Sequence, residues 1–141
     1  MPAFEFTTPV RFADVDHAGI VYYPRYFHLF HLAFEEFWRA RLGARAYVKL
    51  LDDDKLGFPA VRAECNYRGP LRFGDTAVVA MRVTKLGKTS VHFGYTVSRL
   101  EDDGARTLCA EGVVVTAVVN LATFMAVTPT PAIAALLAEL E

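Results

Sequence analysis

Apolar and polar residues alternate at the start of the chain: Phe4, Phe6, Val10 and Phe12 share one face, and Glu5, Thr7 and Arg11 share the other. A period of two predicts a strand with one buried face. Pro9 places it at a sheet edge or a bulge, because proline donates nothing to a ladder. After a loop over residues 13–22 the period lengthens. Phe27, Phe30, Phe34 and Phe37 recur at steps of three and four, and Leu29, Leu32, Ala33 and Trp38 widen the stripe. That spacing predicts a long helix from Pro24 to about Leu42, with Phe30 and Phe34 in the core. Pro24 suits the first helical position, Glu35 and Arg39 are an i,i+4 pair, and Gly43 suits a stop.

Residues 44–57 are a charged connection containing Asp52, Asp53, Asp54 and Lys55. Beyond it the period returns to two. Val61, Ala63, Cys65 and Tyr67 alternate with Arg62, Glu64, Asn66 and Arg68, residues 75–86 form a second strand, and Val91, Phe93, Tyr95 and Val97 alternate with His92, Gly94, Thr96 and Ser98. Asp103-Gly104 is a hairpin signal, residues 106–120 read as one long central strand, and Thr130 can cap a short helix with Ile133, Leu136, Leu137 and Leu140 on one side. The expected order is strand, long helix, four strands, short helix. Short connections predict that the last four strands are antiparallel neighbours. An α+β domain over residues 1–141, one antiparallel sheet curling around one apolar helix, buries both economically.

Composition agrees. The 141 residues are 53% hydrophobic and 13% aromatic, enough for a substantial core and against disorder. The net charge of −1 argues against nucleic-acid binding by bulk electrostatics. Cys65 and Cys109 form neither a C-x-x-C pair nor a disulfide framework, so a reduced, cytoplasmic setting is expected. The first residues lack the features of a signal peptide, and no stretch approaches the roughly 20 apolar residues of a membrane helix, so no membrane association is expected.

Chemistry concentrates in Asp14-Val15-Asp16-His17-Ala18-Gly19-Ile20-Val21-Tyr22-Tyr23-Pro24. A carboxylate beside a helix N-terminus puts a nucleophile or base next to a positive backbone dipole, a metal-free way to attack a carbonyl. On spacing alone, Asp16 could equally brace the loop or cap the helix. Asp14 reads as loop support, and His17 either lines a site or is solvated. His28 and His31 lack the H-E-x-x-H arrangement and read as packing or interface residues, so no metal is expected. Leu86-Gly87-Lys88-Thr89-Ser90 is not a P-loop, because Arg82 stands where the first glycine is needed. It reads as a turn.

Asp14-x-Asp16-x-x-Gly19-Ile20-Val21-Tyr22-Tyr23 ahead of a long helix, followed by Tyr67-x-x-Pro70 and Gly74-Asp75, resembles the hotdog-fold acyl-CoA thioesterases of the 4-hydroxybenzoyl-CoA thioesterase type. The likeness covers nearly the whole chain. It implies a five-stranded antiparallel sheet wrapped around a long central helix, with active sites at a dimer interface. It implies Asp16 as the catalytic carboxylate, attacking directly to give a mixed anhydride or activating water, and the backbone N–H of Tyr23 at the helix start polarising the thioester carbonyl. Some bacterial relatives carry His at the Tyr23 position, and a mechanism using that His as base does not transfer here. His17 and Gly19 would lie beside the substrate, Lys88 and then Lys85 would contact CoA phosphates, and Tyr22 and Tyr26 would line a flat acyl pocket. The implied reaction is hydrolysis of an aromatic acyl-CoA, such as benzoyl- or 4-hydroxybenzoyl-CoA, with short or branched aliphatic acyl-CoAs next. CoA is then part of the substrate, and no separate cofactor is needed. A hotdog dehydratase is disfavoured because no His accompanies Phe58-Pro59. A non-catalytic acyl-CoA binder, with Asp16 only bracing its loop, is the other rival. A homodimer or homotetramer is expected, since such a sheet leaves edges and a second face to cover.

Overall fold

In the computed structural model, which describes residues 3–141, the aromatic stripe lies against a curved sheet. The elements in chain order are β1 (Phe4–Pro9), α1 (Arg25–Leu42), α2 (Ala46–Asp52), β2 (Leu56–Gly57), β3 (Ala60–Tyr67), β4 (Thr76–Leu86), β5 (Ser90–Leu100), β6 (Arg106–Ala117), β7 (Val119–Asn120), β8 (Met125–Ala126) and α3 (Pro131–Ala138). Five strands pair antiparallel in the order β1-β4-β5-β6-β3, and β2, β7 and β8 form a small second sheet. The α+β class is as expected. No described helix is long and apolar enough to cross a membrane.

The periodicity explains the core. Along α1, Tyr26, Leu29, Phe30, Ala33, Phe34, Phe37 and Trp38 are buried, and along β5 Val91, Phe93, Tyr95 and Val97 are. The two rows interlock. Phe30 stacks on Tyr95 with centroids 4.7 Å apart, and Phe34 meets Phe93 edge-on at 5.5 Å. Each fully buried large side chain is worth about 1.5–3 kcal/mol relative to exposure. The sheet approaches α1 closely enough that β6 needs a glycine. A Cβ on Gly112 would lie 2.6 Å from the Phe30 ring and 2.7 Å from the Glu64 carbonyl oxygen. Gly43 ends α1 in the left-handed region, with φ +105°. At the C-terminus, Thr130 Oγ1 accepts the Ile133 N–H at 3.4 Å, and α3 closes the core with Ile133 and Leu137.

Several expectations are corrected. Phe12 is 79% exposed, because β1 ends at Pro9 and a single 3-10 turn, Phe12–Asp14, turns its ring outward. Pro24 is the cap of α1, one position before the first helical residue. The connection over residues 44–57 contains α2 and β2. The long strand expected over 106–120 breaks at Val118, and Val119 begins a strand of the second sheet. The last four strands are not all neighbours, since β3 pairs with β6 and β4 pairs with β1. Residues 68–75 cross the end of the sheet to make that order. They are held by the Cys109 carbonyl, which accepts the N–H groups of Arg68 at 2.7 Å and Gly69 at 3.1 Å.

Candidate active site

That crossing segment meets the Asp14–Pro24 loop beneath the start of α1. The Val21 N–H donates to the Leu71 carbonyl at 2.8 Å, and Ile20 bridges Arg72. Within the loop, Val15 bridges Val21, the Asp16 N–H donates to the Ile20 carbonyl at 3.0 Å, and the Gly19 N–H donates to the Asp16 carbonyl at 2.9 Å. Gly19 sits at φ +83°, a conformation that favours glycine and that closes this turn.

The two aspartates are placed very differently. Asp14 is 7% exposed. Its carboxylate accepts the Arg11 N–H at 2.8 Å and Arg25 Nε at 2.8 Å, and its carbonyl accepts the Tyr22 N–H at 2.9 Å. It clamps the loop to the first residue of α1. Asp16 is exposed, and its Oδ1 accepts the Ala18 N–H at 2.8 Å. Oδ2 has no protein partner among the described residues. Asp16 therefore braces the turn with one oxygen and presents the other.

Tyr23 stands two residues before the first helical residue, not at the helix start itself. Its N–H has no acceptor among the described residues, whereas the neighbouring N–H groups of Val21, Tyr22 and Arg25 are all bonded. Its carbonyl accepts the Tyr67 hydroxyl at 2.8 Å. The rings of Tyr22, Tyr23, Tyr26 and Tyr67 form a chain of edge-to-face contacts with centroids 5.3 to 6.4 Å apart. Burial pushes the Tyr26 phenol up to about 12. Burial also raises the Tyr67 phenol and the Cys65 and Cys109 thiols, which makes neither cysteine a ready thiolate nucleophile. His17 is exposed beside Asp16.

Tyr22 and Tyr26 do not line the aromatic cavity beside α1. That cavity, of about 210 Å³, lies farther along α1, between its Phe27, Phe30, His31 and Phe34 and the residues Tyr47, Phe58 and Tyr95. Ala60 and Ala63 of β3 and Val114 and Thr116 of β6 complete it. Lys85 and Lys88 are exposed near the β4–β5 turn, where the Gly87 N–H donates to the Ser90 carbonyl at 2.9 Å. Within one chain they are far from Asp16. The loop adjoins the start of β4 through the Val10 N–H and Asp75 carbonyl, and Thr76 to Lys85 spans about 30 Å at roughly 3.3 Å per residue. One chain thus gathers Asp16, His17, Gly19, Tyr22, Tyr23 and Tyr26 at one end and leaves both lysines at the other.

Residues that periodicity did not single out as site residues also converge. Arg25 joins Asp14 to the helix, Tyr67 fixes the Tyr23 peptide, and His31, Tyr47 and Tyr95 put polar atoms on the aromatic cavity. The detectable signal was polarity out of place: a histidine within a phenylalanine stripe and a tyrosine on the inward face of a strand.

Residues 10–138 match the family model described as the thioesterase-like superfamily. A 1,4-dihydroxy-2-naphthoyl-CoA hydrolase of Synechococcus elongatus is 31% identical over 98 residues, 70% of this chain and 71% of that protein. The structure of a gentisyl-coenzyme A thioesterase superposes with a TM-score of 0.77 at 26% identity, covering 92% of this chain and 98% of the other. That of a 1,4-dihydroxy-2-naphthoyl-CoA thioesterase from Synechocystis superposes with a TM-score of 0.82 at 21% identity, covering 96% of each. With the fold, the clamped aspartate loop and a match over nearly its whole length, the chain belongs to the thioesterase-like superfamily, the hotdog-fold thioesterases.

Proposed function

We propose that this protein hydrolyses aromatic acyl-CoA thioesters to free acid and CoA, with Asp16 as nucleophile or general base and the Tyr23 N–H as oxyanion donor. The observation that carries the reading is the pairing of an unengaged Asp16 Oδ2 with an unengaged Tyr23 N–H on one loop that Asp14 holds fixed. A thioester already carries a good thiolate leaving group, so positioning and charge stabilisation are what the protein must add. A single aimed oxyanion donor is worth about 2.7–4 kcal/mol, several times what the helix dipole offers an exposed anion. The aromatic cavity supports an aromatic acyl group. An engineered cavity of about 150 Å³ holds benzene, so 210 Å³ admits a substituted ring or two fused rings. The dihydroxynaphthoyl and gentisyl thioesters named for the relatives fall in that class.

The site is completed by a second copy. Strand β3 is a sheet edge, with Val61 67% and Tyr67 45% exposed. Antiparallel pairing of β3 with itself about a two-fold axis puts the Tyr67 end of one copy beside the Ala60 end of the other. Asp16 and Tyr23 of one copy then face the other's cavity, and Lys85 and Lys88 of that other copy fall within reach of the CoA phosphates.

Thiol release measured across a panel of benzoyl-, hydroxybenzoyl- and butyryl-CoA tests the reaction. Asp16→Asn is expected to keep the fold and CoA binding and to lower turnover by about 10²–10⁴, the range for a positioned acid–base group. Near-normal hydrolysis by that variant would overturn the assignment.

A further inference from the structure

Packing does not account for the polar atoms on the aromatic cavity. Tyr95 is only 4% exposed, yet its hydroxyl has no hydrogen-bond partner among the described residues. Nor is it sealed in the core, since Trp38 Nε1 is the one fully enclosed side-chain polar atom left unpaired among them. Tyr95 is among the residues that line the cavity, and its hydroxyl is not fully enclosed. Thr116, also on the cavity wall, has already spent its hydroxyl on the Val91 carbonyl at 3.3 Å. Tyr47 lines the cavity from α2, and its hydroxyl is also unpartnered. His31 lies farther out, with Nε2 held by Glu35 at 3.2 Å and its ring stacked on Phe34 at 5.7 Å. Buried hydroxyls are normally paired. An unpaired one on a residue lining a mainly aromatic cavity is a position that a ligand oxygen can complete.

We propose that Tyr95 reads an oxygen substituent on the ring of the acyl group, with Tyr47 as a second contact nearer the opening, so that the enzyme selects hydroxylated aromatic acyl groups over unsubstituted or aliphatic ones. The inference rests on the reading above, that an aromatic acyl group occupies this cavity. Burial keeps the Tyr95 phenol protonated throughout the physiological range, so it can always donate to a ring oxygen. It can equally accept from a ring hydroxyl. The discrimination follows from desolvation. An unsubstituted ring entering the cavity strips water from the Tyr95 hydroxyl and returns nothing. A ring hydroxyl that enters is itself paired. Sites that hydrogen-bond a substrate hydroxyl separate it from the analogue lacking one far more steeply than apolar slots separate sizes.

The test compares wild type, Tyr95→Phe and Tyr47→Phe on benzoyl-CoA and on the 2-, 3- and 4-hydroxybenzoyl-CoA isomers. Tyr95→Phe removes one oxygen and keeps the ring that stacks on Phe30, and an unchanged thermal midpoint verifies the fold. The expected result is a fall of about tenfold or more in the ratio of kcat/KM for at least one hydroxylated isomer to that for benzoyl-CoA. Tyr47→Phe should give a smaller change of the same sign. Equal losses on hydroxylated and unsubstituted thioesters, or no loss on any isomer, would overturn the proposal. Calorimetric titration with the free acids separates this proposal from the hydrolase reading. If no thioester is cleaved, that reading fails, and the cavity is judged by binding alone. Tighter binding of a hydroxybenzoate than of benzoate, lost in Tyr95→Phe, supports the inference. Equal binding of the two, or binding of neither, refutes it.

Discussion

At the residue scale, two aspartates two positions apart divide their work by burial. The sequence marks Asp14 as loop support, and its contacts agree, but the reason lies in partners no pattern displays. Asp14 meets Arg25, eleven residues away, and the Arg11 N–H. That makes Asp14 a positioning residue for the loop and for the Tyr23 peptide. Asp14→Ala is expected to cost about 2 kcal/mol, in the range for hydrogen bonds to a charged group with Arg25 left partly solvated. A urea titration measures it. Turnover should fall even though the side chain touches no substrate, and Asp14→Asn, which keeps an acceptor for Arg11, should recover part of both losses. If Asp14→Ala retains full stability and full turnover, the clamp carries no load. The unpaired Tyr95 hydroxyl was not legible at all. Alternation along β5 marks Tyr95 as inward, but only the packed structure leaves its oxygen without a neighbour.

At the element scale, periodicity located α1 and the main strands well, while strand adjacency escaped it. The short link between β3 and β4 suggested neighbours. Yet eight residues can extend to about 26 Å, and the three strand spacings between β4 and β3 take only about 14 Å, so the link is long enough to cross the sheet end. The crossing matters for the candidate site, because it delivers Leu71 and Arg72 to the Asp14–Pro24 loop. The closeness of α1 to β6 was likewise hidden in one glycine. Gly112→Ala puts a methyl group 2.6 Å from the Phe30 ring and 2.7 Å from the Glu64 carbonyl oxygen, and overpacking of that kind typically costs about 1–3 kcal/mol. Because Phe30 also walls the cavity, turnover of aromatic thioesters should fall along with the thermal midpoint. Gly94→Ala is the control: its Cβ would meet Thr84 Cγ2 at 3.0 Å on the opposite face of the sheet. It should disturb both quantities less. A larger loss at Gly94 than at Gly112 would contradict the close approach as the cause.

At the scale of the whole molecule, the proposed site falls in one chain into two halves at opposite ends of the sheet, and the exposed edge of β3 is the proposed means of joining them. Burial decides this point. The alternation of Val61, Ala63, Cys65 and Tyr67 reads as a buried face, but every β3 residue except Cys65 is exposed in the single chain. A strand patterned for burial and left uncovered calls for a partner. If that partner is a second copy, active sites should complement. Asp16→Asn removes the carboxylate, and His31→Trp, placed on the outer surface of α1, fills the cavity mouth. Each variant alone should be nearly inactive. In a two-fold dimer with shared sites, a mixed dimer unites the intact loop of the His31→Trp chain with the intact cavity of the Asp16→Asn chain. Statistical mixing after unfolding and refolding should then restore about a quarter of the wild-type rate. If each site lay within one chain, every site in the mixture would still carry one defect, and the rate would stay at the level of the separate variants. The mixed sample therefore discriminates between the two architectures without requiring either variant to change its oligomeric state, and sedimentation of the same samples verifies that the dimers have formed.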